Sequence, residues 1–233
     1  MIDLTPLLAL ATDTTVPSRV ITLPTYIDVA AVTAGALSGA LHASQRRLDL
    51  MGVMVVALCT GVGGGAIRDV LLNSGVPVFL ESPTLLPITA LAAVIGTFFA
   101  SLVRQVNSLI WAVDSLVIGV WVVIGVQKSL LLNLSFVAAA FVGVVACVGG
   151  SLLRDVLCQD KPAIFRPGTF YAAAAGAGAA AYLALAAVGA PVWSSVTAAI
   201  VVSTSLRAAS VHWGWETSMA PIVSEPGGEL RST

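Results

Sequence analysis

The chain has 233 residues, of which 58% are hydrophobic and only 10% charged, and its net charge is −1. An ordinary soluble domain carries about 25% charged residues, so this composition excludes a water-covered globular surface and points to an integral membrane protein. The near-zero charge also gives no footprint for nucleic acid, and no such partner is expected.

Residues 1–25 read as an extramembrane lead. Residues 7–11 form a short apolar run, but Asp3 precedes it without any Lys or Arg, which is the wrong order for a signal peptide. A membrane span needs about 20 mostly apolar residues. Seven windows meet this: 26–43, 48–72, 85–103, 111–127, 130–157, 170–188 and 192–211. The sequence therefore predicts an all-α integral membrane protein embedded in a lipid bilayer, followed by a disordered cytoplasmic tail over 213–233.

Loop charges set the orientation. Arg46 and Arg47 follow the first span, Arg104 the third, Lys161 and Arg166 the fifth, and Arg207 stands near the end of the seventh. Arg19 and Lys128 fall on the other side. The positive-inside rule then places the N-terminus outside and the C-terminus in the cytoplasm. Trp193, Trp213 and Trp215 sit near the ends of the seventh span, as interfacial aromatic belts do.

The strongest pattern is internal. Gly63, Gly64 and Gly65 with Arg68 and Asp69 in the second span recur as Gly149, Gly150 and Ser151 with Arg154 and Asp155 in the fifth. Subtracting 63 from 149, 68 from 154 and 69 from 155 gives the same offset of 86, shared by Asp28 with Asp114 and by Gly39 with Gly125. Each copy holds three spans, an odd number, so the second must cross in the opposite sense. The expected architecture is two inverted repeats, 26–108 and 109–190, plus a seventh helix at 191–212 that acts as a cover or an oligomer contact. Transport proteins with inverted repeats place their solute site at the repeat interface near the bilayer midplane.

Consecutive glycines destabilise a helix by about 1 kcal/mol each, so the second and fifth helices are expected to be broken or kinked at the two clusters. A broken helix exposes carbonyls suited to a dehydrated cation, and Thr60 and Ser151 add hydroxyls beside them. Arg68, Asp69, Arg154 and Asp155 are costly inside a bilayer and are read as pore or ion-pair groups. Asp28 opens the first span at the end where Arg68 lies, and Asp114 stands in the same relation to Arg154, which predicts two symmetric ion pairs. Lys128, which aligns with His42, is expected to be a solvated loop residue rather than part of a vestibule. The sixth span, rich in Ala and Gly, is expected to pack tightly. Cys59, Cys147 and Cys158 read as buried thiols, with no spacing for a metal or a disulfide framework. No HExxH, GxSxG or paired-carboxylate motif appears, so neither an enzyme nor a cofactor is expected.

Asp28, Gly35, Gly39, Gly63 to Gly65, Arg68 and Asp69, followed by Asp114, Gly149, Gly150, Arg154 and Asp155, resemble the pattern of the prokaryotic trimeric intracellular cation (TRIC) channels, whose repeated domain is also catalogued as a glycine transporter domain. The resemblance covers residues 26–211. It implies a homotrimer in the prokaryotic cell membrane, with a pore in each protomer for monovalent cations such as K⁺ and with the second and fifth helices kinked at their glycines. Ser151 departs from the triple-glycine pattern. Two other classes stay open: a secondary transporter of a small zwitterion such as glycine, and a non-conducting membrane scaffold.

Overall fold

The computed structural model describes residues 25–103, 107–165 and 170–215, with side chains left out for 99–103 and 107–113. The expected lead over 1–24, the loop charges Arg104 and Arg166, and the tail from residue 216 onward lie outside these residues. The described residues are all helical in their regular structure. The helices are α1 (Thr25–Gln45), α2 (Leu50–Leu71), the short α3 (Val78–Glu81), α4 (Leu85–Val103), α5 (Asn107–Leu131), α6 (Phe136–Leu157), α7 (Tyr171–Ala187) and α8 (Val192–His212), with a 3₁₀ turn at Ala163–Phe165.

Local chemistry explains the two central helices. Asp49 caps α2 by accepting from Gly52 N at 2.8 Å, and Ser135 caps α6 by accepting from Ala138 N at 3.4 Å. Both helices end alike. Leu72 N donates to Arg68 O and Cys158 N to Arg154 O, after which Asn73 and Gln159 take φ of 46° and 57°. A left-handed residue at that point stops the helix and turns the chain back. One boundary differs from expectation. The fourth span does not end at Gln127, nor does the fifth begin at Leu130: α5 continues to Leu131, Asn133 turns the chain at φ 58°, and α6 starts after Ser135.

Helices α2 and α6 pack against each other at the centre, with α1 and α4 on one flank and α5, α7 and α8 on the other. Ends therefore fall on two faces. The Asp28 face carries the start of α1 and the ends of α2 and α5; the Asp114 face carries the start of α5 and the ends of α1, α6 and α8. Segments Leu50–Leu71, Asp114–Leu131, Phe136–Leu157 and Val192–His212 are long and apolar enough to cross a membrane, and Leu85–Phe98 and Tyr171–Ala187 are shorter apolar helices. Phe98, Phe141 and Val70 lie exposed on the outside, an arrangement that suits a lipid surround.

The small residues of α7 serve contact with α8. A Cβ on Gly178 would run into Ser203, and Ala175 and Ala179 are fully buried. The seventh of the long helices thus covers the second half, packing on α5 and α7.

Candidate functional site: two charge clusters around a glycine crossing

The glycine clusters do not break their helices. Helix runs without interruption through Gly63–Gly65 and through Gly149–Ser151, and none of these glycines has positive φ. This corrects the expectation of broken helices. The glycines instead let two backbones meet: a Cβ on Gly64 would collide with the carbonyl oxygen of Ala146, and one on Gly150 would lie 2.6 Å from the carbonyl oxygen of Thr60. Ala146 stands 86 residues after Thr60, as Gly150 does after Gly64. The two contacts are therefore the same contact, related by the repeat. Their outer neighbours match too, with Gly63 against Leu153 and Gly149 against Ile67.

The departure at Ser151 has a steric partner. A Cβ on Gly65 would lie 3.3 Å from the Trp121 ring. Ser151 is the counterpart of Gly65, and the counterpart of Trp121 is Gly35, again 86 residues apart. Ser151 lines a small cavity together with Gly35, and its hydroxyl donates to Val148 O at 2.9 Å. A large residue facing none has become a small residue facing none, so the side chain in α6 gains the room that the indole fills in the other half.

On the Asp28 face, Arg68 Nε donates to Asp69 Oδ1 at 2.7 Å, and Lys128 Nζ reaches the same oxygen at 2.7 Å. Asp69 Oδ2 accepts from Val78 N at 2.9 Å, tying the short helix α3 to the end of α2. On the Asp114 face, Arg154 Nε donates to Asp155 Oδ1 at 2.9 Å, and Asp155 Oδ2 accepts from Ala163 N at 2.8 Å, tying down the 3₁₀ turn. Asp69 and Asp155 are 1% and 2% exposed. They are staples within the bundle, bonded through both carboxylate oxygens.

The two expected ion pairs part ways. Arg154 Nη1 lies 3.2 Å from Asp114 Oδ1 and donates to Ser38 Oγ at 3.0 Å, while Ser38 itself donates to Asp114. Asp28 and Arg68 line one cavity, but among the described residues no ion pair within 4 Å joins them. The reason is local. The counterpart of Ser38 is Ile124, which has no group to bridge a carboxylate to a guanidinium.

Lys128 is not a solvated loop residue. It sits in the last turn of α5, holds Asp69 and lines a cavity of about 190 Å³ with Asp28, Arg68, Ile124 and Gln127. Its counterpart His42 pairs elsewhere: His42 Nε2 is 2.7 Å from Asp160 Oδ2, and Arg46 grips both oxygens of the same carboxylate at 2.9 and 2.8 Å. Burial alone raises the Asp160 carboxyl, but the hydrogen bond to His42 and the nearby Arg46 charge outweigh it and hold the group below the usual carboxylate range.

Arg207, counted among the loop charges, lies on α8 five residues before its end at His212. It is instead 1% exposed, with its guanidinium 5.3 Å from the Tyr171 ring centroid and within electrostatic reach of Asp114. The signal was present as the sole Arg, Lys, Asp or Glu of a helix long enough to span a membrane, which marks an inward-facing group. Two further cavities of about 20 Å³ follow the central helices. One is lined by Val62, Gly65, Asp69 and Trp121; the other by Ser38, Thr60, Trp121, Ser151 and Arg154. Trp121 lines both.

The fold and these paired clusters define a polytopic helical membrane protein built from a duplicated unit. A family model described as "Glycine transporter" matches residues 25–104 and again 111–187. A structure of the TRIC trimeric intracellular cation channel orthologue from Rhodobacter sphaeroides superposes with a TM-score of 0.77 at 32% identity, covering 81% of this chain and 97% of that one. The chain belongs to this TRIC family. A UPF0126 membrane protein of Deinococcus radiodurans is 34% identical over 162 residues, covering 69% of this chain and 75% of the relative. The UPF0126 inner membrane protein YadS of Escherichia coli is 31% identical over 192 residues, covering 81% and 91%.

Proposed function

We propose that the protein is a passive channel for monovalent cations, K⁺ among them, with a pore in each protomer of a homotrimer in the cell membrane. The observation that carries this reading is the reciprocal glycine crossing of α2 and α6, with polar cavities on both sides of it. The family likeness to cation channels supports the same conclusion. The seven long helices are read as spans, six of them forming two inverted repeats, with the N-terminus outside and the C-terminus in the cytoplasm. The constriction lies where Gly64 and Gly150 bring the helices together, and Trp121 lines both small cavities. Thr60 and Ser151 supply hydroxyl oxygens there, as a narrow cation path requires.

The specific observation that favours a second reading is the mixed charge of the Asp28 cavity. One carboxylate and two cationic groups suit a zwitterion's two ends, and the family description names glycine. Inverted repeats serve alternating access as well as conduction. Reconstitution of the purified chain in planar bilayers separates the two. Unitary ohmic currents with a reversal potential that follows K⁺ and Na⁺ but not Cl⁻ are expected. Saturable glycine uptake without unitary currents would instead establish the transporter.

A further inference from the structure

We propose that the indole of Trp121 is the gate of the cation path, closed in the position described above and opened when the ring leaves the bare face of Gly65. The proposal rests on the channel reading and assigns the switching of conduction to one side chain outside the duplicated charge motif. The small cavity on the Asp28 face and the small cavity on the Asp114 face share Trp121 as a lining residue. Order along the helices places the ring between them. On α1 the lining passes from the outer cavity to the inner one between Val32 and Gly35, and on α2 it does so between Val62 and Thr60. On α5, Val117 lines the inner cavity, and about a turn beyond Trp121 Ile124 lines the cavity of about 190 Å³, which shares Asp28 and Arg68 with the outer one. Three helices change sides at one level, and Trp121 is the side chain at that level.

The chemistry of the ring suits a gate. Both small cavities hold charged groups, Asp28 and Arg68 in one and Asp114 and Arg154 in the other, whereas the indole is apolar and 5% exposed. Each cavity is about 20 Å³, room for about one water, so an ion there has shed most of its hydration before it meets the ring. An apolar constriction between polar chambers holds back ions until it widens.

A single ring has to move. The counterpart of Trp121 in the first repeat is Gly35, which brings no side chain to the same level. On its α2 side the indole rests on Gly65, where an added Cβ would lie 3.3 Å from ring carbon Cη2 and 3.4 Å from Cζ3. A methyl group there leaves the ring in the chain but crowds its closed position.

The test is single-channel recording of the reconstituted full chain, with reversal potentials for K⁺, Na⁺ and Cl⁻. Trp121→Ala is expected to raise the open-to-closed ratio about tenfold or more with the cation preference kept, and Trp121→Phe to raise it by less. Gly65→Ala is expected to raise it about fivefold, and covers the case in which Trp121→Ala fails to fold. A tryptophan that only packs the core predicts the reverse: a lower melting temperature and less current, with an unchanged open-to-closed ratio. The second readout needs no current. In a chain carrying Cys59→Ala and Cys158→Ala, the remaining thiol is Cys147, which lines the inner cavity. Ag⁺ applied from the Asp28 face is expected to add to Cys147, read as protein mass, about tenfold faster when Trp121→Ala is also present. Equal open-to-closed ratios in wild type, Trp121→Ala and Gly65→Ala overturn the gate, and wild-type cation currents then leave the channel reading intact. A silent wild type beside a conducting Trp121→Ala supports the gate. Silence in both, with Ag⁺ reacting at the same rate, overturns the gate and the channel reading together.

Discussion

The Asp28 and Asp114 faces carry the same motif and use it differently. On both, an aspartate at the end of a central helix binds its neighbouring arginine and the first amide of the next short element. Beyond that core the partners diverge. The Asp28 face adds Lys128 to the staple and leaves Asp28 without a direct pair, around a cavity of about 190 Å³. The Asp114 face closes its pair through Ser38, brings Arg207 in from α8, and sends His42 and Arg46 outward to Asp160. Duplication conserved the staple that holds the backbone and released the charges that face open space.

The largest expected effect tests that divergence directly. Removing one partner of a buried ion pair costs about 3–5 kcal/mol because the other charge is left unpaired. Arg154→Met strands Asp114 and Asp155 together, whereas Arg68→Met leaves Asp69 its Lys128. Thermal unfolding in detergent is expected to show the Arg154 variant as the weaker of the two, and equal losses would break the comparison. Gly64→Leu and Gly150→Leu come next, at about 3 kcal/mol or more each, since both drive a side chain into a backbone carbonyl. Their effects on folding and current should match; a mild phenotype at only one of them would end the reciprocity.

Smaller changes sharpen the picture. Ser38→Ala is expected to cost about 1 kcal/mol by removing the bridge at Asp114, while Ile124→Ser offers the Asp28 face the bridge it lacks, read as a rise or no change in melting temperature. Gly176→Ala is a control: nothing lies within 4 Å of its would-be Cβ, so the helix gains about 0.5–1 kcal/mol from propensity alone. The last effect is the link between α1 and the loop after α6. Because Asp160 is held below the ordinary carboxylate range, its contribution is present above the unfolded pKa and is lost as pH falls through the lower, folded one. The increment is small because Arg46 is half exposed. Stability of wild type against Asp160→Asn should therefore converge only in acid, below the usual carboxylate titration. Convergence near neutral pH would show that the link does not depend on the carboxylate charge.

Much of this was legible in the sequence. The duplicated glycine cluster, the Arg-Asp steps and the aligned Asp28 and Asp114 repeat at one offset, and offset survives folding. What a glycine does was not legible, because that depends on what it faces. The same run of glycines that lowers helix propensity also permits a carbonyl to approach, and only packing decides between a break and a crossing. The missing Asp28 to Arg68 pair depended on one residue outside the motif, Ile124, and the role of Arg207 on a helix with no counterpart in either copy. The α5 to α6 boundary was missed because Asn133 sits within an apolar stretch where hydropathy alone marks no turn.

The exchange of bulk around the crossing has a consequence for how such a chain can be rebuilt. Two copies of the first half would put Gly65-type residues on both central helices and a glycine in place of Trp121, leaving the middle hollow. Two copies of the second half would set an indole against a serine on each side and jam it. Neither half can replace the other, so the duplicated chain has become an obligate heterodimer folded within a single polypeptide.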